Sequence, residues 1–338
     1  MNYNPGFSAI LPRSDQAWAW RPQSSLYRGS SLLIGSQIGE RIKPARYELS
    51  ATIEPYLVGR LSVHWEEWRR HYDEQLRNWR RHLWWQRLQQ RSFTLRRDQA
   101  KVRAGYSSTW TTREWASPND ATARVHYYRW NDDGFKLRYG GLKRAHQRLL
   151  WRCIKELQPC SVLEVGFGNG LDLLALSTAI PGVRWAGVEL SPGGVARAKE
   201  AQREAELIPA IASFCSWPNE APQAYRDIDF REGSAHRLPF EDRSFDLVFS
   251  RLALEQMEEI RDAAVAEVAR VSANWVAMIE PFADFNRDPL RKARTRAKGY
   301  FSLDLDDLKR FGLEPIFVFD DMPQKITLGA GLVLARKR

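Results

Sequence analysis

The sequence predicts an α/β protein whose seven-stranded, mostly parallel sheet ends in an antiparallel hairpin, preceded by a helical region rich in tryptophan and arginine. Three observations predict it. From about residue 160 onward, short β-rich apolar runs alternate with helical stretches, as in a parallel sheet wrapped by helices. The run "VLEVGFGNG" (162–170) ends an apolar strand in glycines at 166, 168 and 170 and passes straight into a helical pattern. The connection between the last two apolar runs is shorter than the roughly twelve residues a parallel crossover needs, so those strands must pair antiparallel.

Taken in order, Leu61, Trp65, Trp68, Tyr72, Leu76, Trp79 and Leu83 recur at spacings of three and four, which lays an apolar stripe along a long helix. Its other faces carry Arg69, Arg70, Arg77, Arg80, Arg81 and Arg87. Eleven of the 14 tryptophans precede the glycine loop, so residues 1–136 read as a separate helical cap or dimerisation region and residues 137–338 as the second domain. That domain opens with "YGGLKRAHQRLLWRCIKELQP", a helix begun after a glycine turn and stopped by Pro159. Strands are expected at "SVLEVGF", "RWAGVEL", "DIDFREG", "FDLVFSR", "NWVAMIE", "PIFVFDD" and "TLGAGLVLARK". Helices are expected at "GLDLLALSTAI", "SPGGVARAKEAQREAE", "MEEIRDAAVAEVARVS" and "LDLDDLKRFG", the second with a serine cap and proline in its first turn. A basic insertion at about 283–301 interrupts this alternation.

Composition narrows the class. With 43% hydrophobic and 27% charged residues the chain is globular, and no apolar run approaches the ~20 residues of a membrane helix. The N-terminus lacks a basic start followed by an apolar core, so a cytoplasmic location is expected. Cys153, Cys160 and Cys215 form no CxxC and are odd in number, which suits reduced thiols, and no histidine pair has metal-ligand spacing, so no metal site is expected. A net charge of +10 favours an acidic partner: nucleic acid, an anionic small molecule, or an anionic membrane surface.

A strand that ends in glycines and turns into a helix lets a ligand approach the backbone and meet unpaired N–H groups. Two familiar versions fail on spacing. No Gly-Lys-Ser/Thr follows, and the third glycine of a GxGxxG would fall where Leu171 stands. The pattern is Glu164-x-Gly166-x-Gly168-x-Gly170, and it resembles the first motif of the class I S-adenosylmethionine-dependent methyltransferases. Glu189 closes the second strand in "GVEL", "GSAHRLPFEDRSFDLVFSRLALEQM" (233–257) resembles the family's third and fourth strands, and the terminal hairpin is also a family feature. The resemblance covers roughly residues 137–338 and implies a Rossmann-like fold with S-adenosylmethionine as cofactor. It places Glu164, Gly166, Gly168 and Gly170 around the amino acid part of the cofactor, Glu189 with Leu190 at the ribose, and Ser234 and Ala235 at the adenine. It further implies that Tyr139 closes over the methionine end and that Ser250 lies beside the cofactor. Ser234 stands where the family commonly has an acid.

Chemistry is expected outside the carboxyl ends of the strands, which points to Arg251 as a holder of an anionic acceptor, to Glu255 and His236 as bases, and to Glu280 nearby. "FSRLALEQM" lacks the Asn/Asp-Pro-Pro-aromatic stretch of base-amino methyltransferases, no cysteine sits in a proline-bearing catalytic loop, and nothing resembles a metal triad. The function expected is methyl transfer to a small-molecule or glycan-like acceptor, at oxygen. Two alternatives stay open: an RNA methyltransferase that docks substrate on the basic N-terminal half, and a noncatalytic cofactor-binding partner protein. Trp65, Trp68 and Trp79 are expected in a core or dimer seam, Trp84 and Trp85 at the edge of a surface able to meet a membrane, and Arg291, Lys292, Arg294, Arg296 and Lys298 over an acidic acceptor.

Overall fold

A computed structural model describes residues 37–62, 66–88, 98–112, 123–131, 133–287 and 289–338. Helices α1 (Gln37–Ile42) and α2 (Arg46–Ile53) come first, followed by strand β1 (Leu57–Ser62), the long α3 (Glu66–Leu88) and α4 (Gln99–Thr112). Strands β2 (Val125–Trp130) and β3 (Asp133–Arg138) form a hairpin, and α5 (Gly141–Leu157) leads into the main sheet. The order then runs β4 (Ser161–Val165), α6 (Leu171–Leu176), β5 (Arg184–Glu189), α7 (Pro192–Arg203), α8 (Pro209–Ala212) and β6 (Asp229–Glu232). After these come β7 (Phe245–Arg251), α9 (Arg261–Val271), β8 (Ser272–Glu280), α10 (Pro289–Lys298), β9 (Leu313–Phe319), β10 (Gln324–Lys325) and β11 (Gly331–Lys337).

All seven expected strands form one sheet in the order β6-β5-β4-β7-β8-β11-β9, in which β11 pairs antiparallel with both β8 and β9 and the other pairs are parallel. Alternation along each strand sends side chains to two faces. Val162, Leu247, Ala277 and Ile279 join one apolar cluster, while Leu163, Val248, Val276 and Met278 join the other. Both faces are therefore covered. The expected helix at 303–312 is instead a 3-10 turn at Asp306–Phe311, closed by Gly312 immediately before β9.

The region expected to be helical contributes strands as well. β1, β3, β2 and β10 form a second, antiparallel sheet in that order, so the boundary expected at 136/137 falls inside β3. β10 lies in the connection between β9 and β11, and it ties the end of the chain to β2. Trp130 reinforces the join: its indole is 2% exposed and donates to Asp321 Oδ1 at 2.7 Å. "VHYYRW" carries no clean apolar–polar alternation, and Val125 at its start is exposed.

Helix α3 starts at Glu66, so Leu61 belongs to β1 instead of the helical stripe. Trp79 is 5% exposed, in keeping with the stripe, whereas Trp65 and the side chains of Trp68, Leu76 and Leu83 lie outside the described residues. Trp84 and Trp85 are exposed and pack edge to face. Glu67 binds Lys136 and accepts from Tyr127, which anchors α3 to the second sheet. Among the described residues, no helix is long and apolar enough to cross a membrane.

Candidate active site

The order of parallel strands reverses between β4 and β7, and a crevice opens there outside their carboxyl ends. The glycine loop sits in that crevice. Gly166, Gly168 and Gly170 have φ of +78°, +60° and +80°, in the left-handed region where a side chain is strained. Space forbids side chains too: a Cβ on Gly168 would lie 2.7 Å from Trp110 Cζ2, and one on Gly166 would run into Ala253.

Glu189 ends β5 and locks the loop. Its Oε2 accepts the Gly168 N–H at 3.0 Å, while Oε1 accepts the N–H and hydroxyl of Ser191 at 2.9 and 2.7 Å. Burial nevertheless pushes its pKa up, and these hydrogen bonds pull the other way. Behind the loop, Glu164 is buried at 1% exposure, and desolvation with neighbouring Asp172 holds its carboxyl well above the ordinary range. Asp172 Oδ1 takes a hydrogen bond from Gln147 at 2.7 Å, and its other oxygen is paired with Arg251.

Beyond β7 the chain turns at Leu252, a non-glycine residue at φ +52°, the kind of strained backbone that clusters at functional sites. Glu280, at the end of β8, supports this turn by accepting the N–H groups of Ala253, Leu254 and Glu255 at 3.0–3.1 Å. Burial and the nearby Glu255 push its pKa up to about 8.

A cavity of about 810 Å³ runs from this cradle to the second sheet. Of the cofactor residues expected from sequence, Gly166, Gly168, Glu189, Leu190, Ala235 and Tyr139 line it. Glu164, Gly170, Ser234 and Ser250 do not: Glu164 and Ser250 are buried in the strands behind, Gly170 packs against Ala198, and Ser234 bonds His236 and Gln99. Among the catalytic candidates, Arg251 and Glu255 reach the wall, but Arg251 is engaged by Asp172. His236 is exposed, off the cavity, with Nδ1 2.7 Å from the Ser234 hydroxyl.

The expectation for the basic insertion is corrected. None of Arg291, Lys292, Arg294 and Lys298 lines the cavity, and the Arg296 side chain lies outside the described residues. Arg291 is 7% exposed because it donates to the carbonyls of Phe285, Lys325 and Ile326. A guanidinium with five donors satisfies loop carbonyls that burial would otherwise leave unpaired. It thereby fixes β10 and, with it, Lys325.

Sequence reasoning missed the outer wall. Helix α4 packs on α7 over the glycine loop: Ser107 accepts the Gly193 N–H at 3.3 Å, Arg103 pairs with Glu232, and Trp110 covers Gly168. His126 and Tyr128 from β2, Lys143 and His146 from α5, and Lys325 from β10 complete it. One signal was available: His146 and Gln147 interrupt the apolar face of a helix already recognised. Lys325 carried none.

The residues fit S-adenosylmethionine. A side-chain-free loop offers backbone approach, an acid at the end of β5 suits hydroxyl donors, and the aromatic cover over Gly168 suits a cationic sulfonium. Among described residues no cluster of potential metal ligands is present.

A family profile described as a methyltransferase domain matches residues 163–274. The demethylmenaquinone methyltransferase of Chlorobaculum parvum is 26% identical over 167 residues, covering 49% of this chain and 57% of that protein. The protein of the same name from Chlorobaculum tepidum is 30% identical over 99 residues, covering 29% and 31%. The chain thus spans only part of the length of these curated relatives. Among solved structures, magnesium protoporphyrin IX methyltransferase of Synechocystis PCC 6803 has a TM-score of 0.48 at 13% identity, covering 71% of this chain and all (100%) of that one. The [4+2]-cyclase SpnF also has a TM-score of 0.48, at 18% identity over 70% of this chain and 95% of its own. The profile match assigns residues 163–274, within the seven-stranded sheet with its terminal hairpin, to a methyltransferase domain.

Proposed function

We propose that the protein transfers a methyl group from S-adenosylmethionine to a small-molecule or glycan-like acceptor, at oxygen. The observation that carries this reading is the continuity of the cavity from the glycine cradle to a chamber walled by β2, α5 and β10. The cofactor supplies, when bound, a methyl on a sulfonium whose leaving group is already activated. The protein's task is then alignment and exclusion of water.

Glu189 and the glycine loop hold one end. Arg251, fixed by Asp172, and Glu255, on the turn supported by Glu280, face the acceptor. Helix α4 closes the top through Trp110.

Calorimetric titration of the full chain with S-adenosylhomocysteine tests the reading. Micromolar binding is expected in wild type, weakened roughly thirtyfold, or ~2 kcal/mol, in Glu189→Ala. Absence of binding in folded wild-type protein would overturn it. Transfer of radiolabelled methyl into small-molecule fractions, against RNA fractions, then separates the acceptor classes; binding without transfer would favour a noncatalytic partner.

A further inference from the structure

Helix α3 carries its charge in two blocks. Its acids, Glu66, Glu67, Asp73 and Glu74, all lie in 66–74, where Glu67 binds Lys136 and accepts from Tyr127 of the second sheet. Residues 75–88 hold no acid. At about 3.6 residues per turn, Arg77, Arg81, Trp84, Trp85 and Leu88 share an arc of roughly 100°, with buried Trp79 on the far side.

All five side chains on this arc are exposed, and the three apolar ones by more than half: Trp84 56%, Trp85 52% and Leu88 55%. The solvent face of a helix is ordinarily polar. Among the described residues six large hydrophobic side chains are exposed, and three of them lie here, so the patch is a cluster and not scatter. The cations beside it are uncommitted to acids. Arg81 donates to Asn78 Oδ1 at 2.9 Å, and among the described residues neither Arg77 nor Arg81 pairs with a carboxylate. Helix α10 adds to the positive field: burial first, and then the charges of Lys298 and Arg294, push the pKa of His82 down, so two cations of α10 stand near the same end of α3.

We propose that this face of α3 docks on an anionic lipid surface, with Trp84, Trp85 and Leu88 entering the headgroup region and Arg77 and Arg81 meeting lipid phosphates. Indole rings settle at the boundary between headgroups and acyl chains, and guanidinium groups pair with phosphate oxygens. The negative surface attracts the helix, and the apolar side chains then hold it. Two other occupants suit the face less well. Single-stranded RNA needs open ring faces for its bases, whereas Trp84 and Trp85 pack edge to face with centroids 5.2 Å apart, and Leu88 offers no ring. A second copy meeting this face by two-fold symmetry would set the Arg77 and Arg81 row against itself.

Sedimentation of the full-length protein with vesicles tests the attachment, which is independent of methyl transfer. With phosphatidylcholine alone and with phosphatidylcholine and phosphatidylglycerol at about three to one, wild type should partition roughly tenfold or more in favour of the anionic vesicles. Arg77→Gln combined with Arg81→Gln should weaken that binding roughly thirtyfold, and Trp84→Ser combined with Trp85→Ser roughly tenfold or more. Because these positions are exposed, thermal unfolding of both variants should match wild type. Brominated lipid should quench the tryptophan emission of bound wild type, which contact through charge alone does not produce. Absence of binding by folded wild type, equal binding to the two compositions, or binding unaltered in both variants would overturn the proposal. So would tight binding of a uridine oligonucleotide in place of vesicles, lost in the same variants, which would assign the face to RNA. A concentration-dependent dimer that the tryptophan variant dissolves, with no vesicle binding, would overturn it in favour of a second copy.

Discussion

The two walls of the cavity are built in different ways. On the glycine-loop side, Glu189 ends its strand and Gly166, Gly168 and Ala235 each follow a strand end by one to three residues, and neighbouring parallel strands bring those ends together. On the opposite side, Trp110, His126, His146 and Lys325 come from α4, β2, α5 and β10, elements far apart in sequence. The first wall is a local device repeated strand by strand. The second exists because β10 pairs with β2 across most of the chain. The matched domain thus carries the glycine loop, while α4, β2, α5 and β10 wall the rest of the cavity.

Breaking the cofactor wall should give the largest effect. Gly166→Val places a branched side chain at φ +78° against Ala253, and S-adenosylhomocysteine affinity should fall beyond calorimetric detection, with thermal unfolding showing a loss of about 2–4 kcal/mol. If affinity survives, the cradle is not the cofactor site. Removing the cover from the other wall should cost less. Trp110→Ala deletes the ring over Gly168, and roughly tenfold weaker binding is expected with little change in the sheet's stability, read by calorimetry beside circular dichroism.

The joint between the walls responds to pH. Glu280 has a folded pKa of about 8 against the ordinary 4.5, so the folded state binds more protons than the unfolded chain between those values. The stabilisation is complete below about 4.5, declines as pH rises, and is lost by about 8. Glu280→Gln should flatten the fall in melting temperature between pH 5 and 8, while losing some affinity because the turn at Ala253–Glu255 gives up acceptors. A slope unchanged in the variant would assign that titration to another group, with buried Glu164 next in line. The smallest effect belongs to Arg103→Ala. Its pair with Glu232 is solvent-exposed, so stability should change by under ~1 kcal/mol and affinity by less than threefold; a larger loss would mean that α4 is held chiefly by charge.

Much of the cofactor side was legible before folding was considered. Apolar runs of strand length, glycines at alternate positions and Glu189 after the second strand all report on neighbours close in sequence, and all seven strands emerge in the expected order. The outer wall resisted reading for a definite reason. "QK" at 324–325 has no strand signature, because a two-residue strand is defined by its partner alone. Val125–Trp130 lacks a clean alternation, and the basic run at 291–298 suggested ligand contact where Arg291 serves loop carbonyls. Charge in a sequence does not say whether a guanidinium faces a ligand or the backbone.

The sequence by itself determined the doubly wound sheet, its antiparallel ending and the cradle of Gly166, Gly168 and Glu189, since periodicity and turn chemistry act within a few residues. Only the tertiary structure decided which side chains face the acceptor. His146, Lys143 and Lys325 line one cavity because the β9–β11 connection pairs with β2, and contacts between residues so distant in sequence leave no local pattern to read.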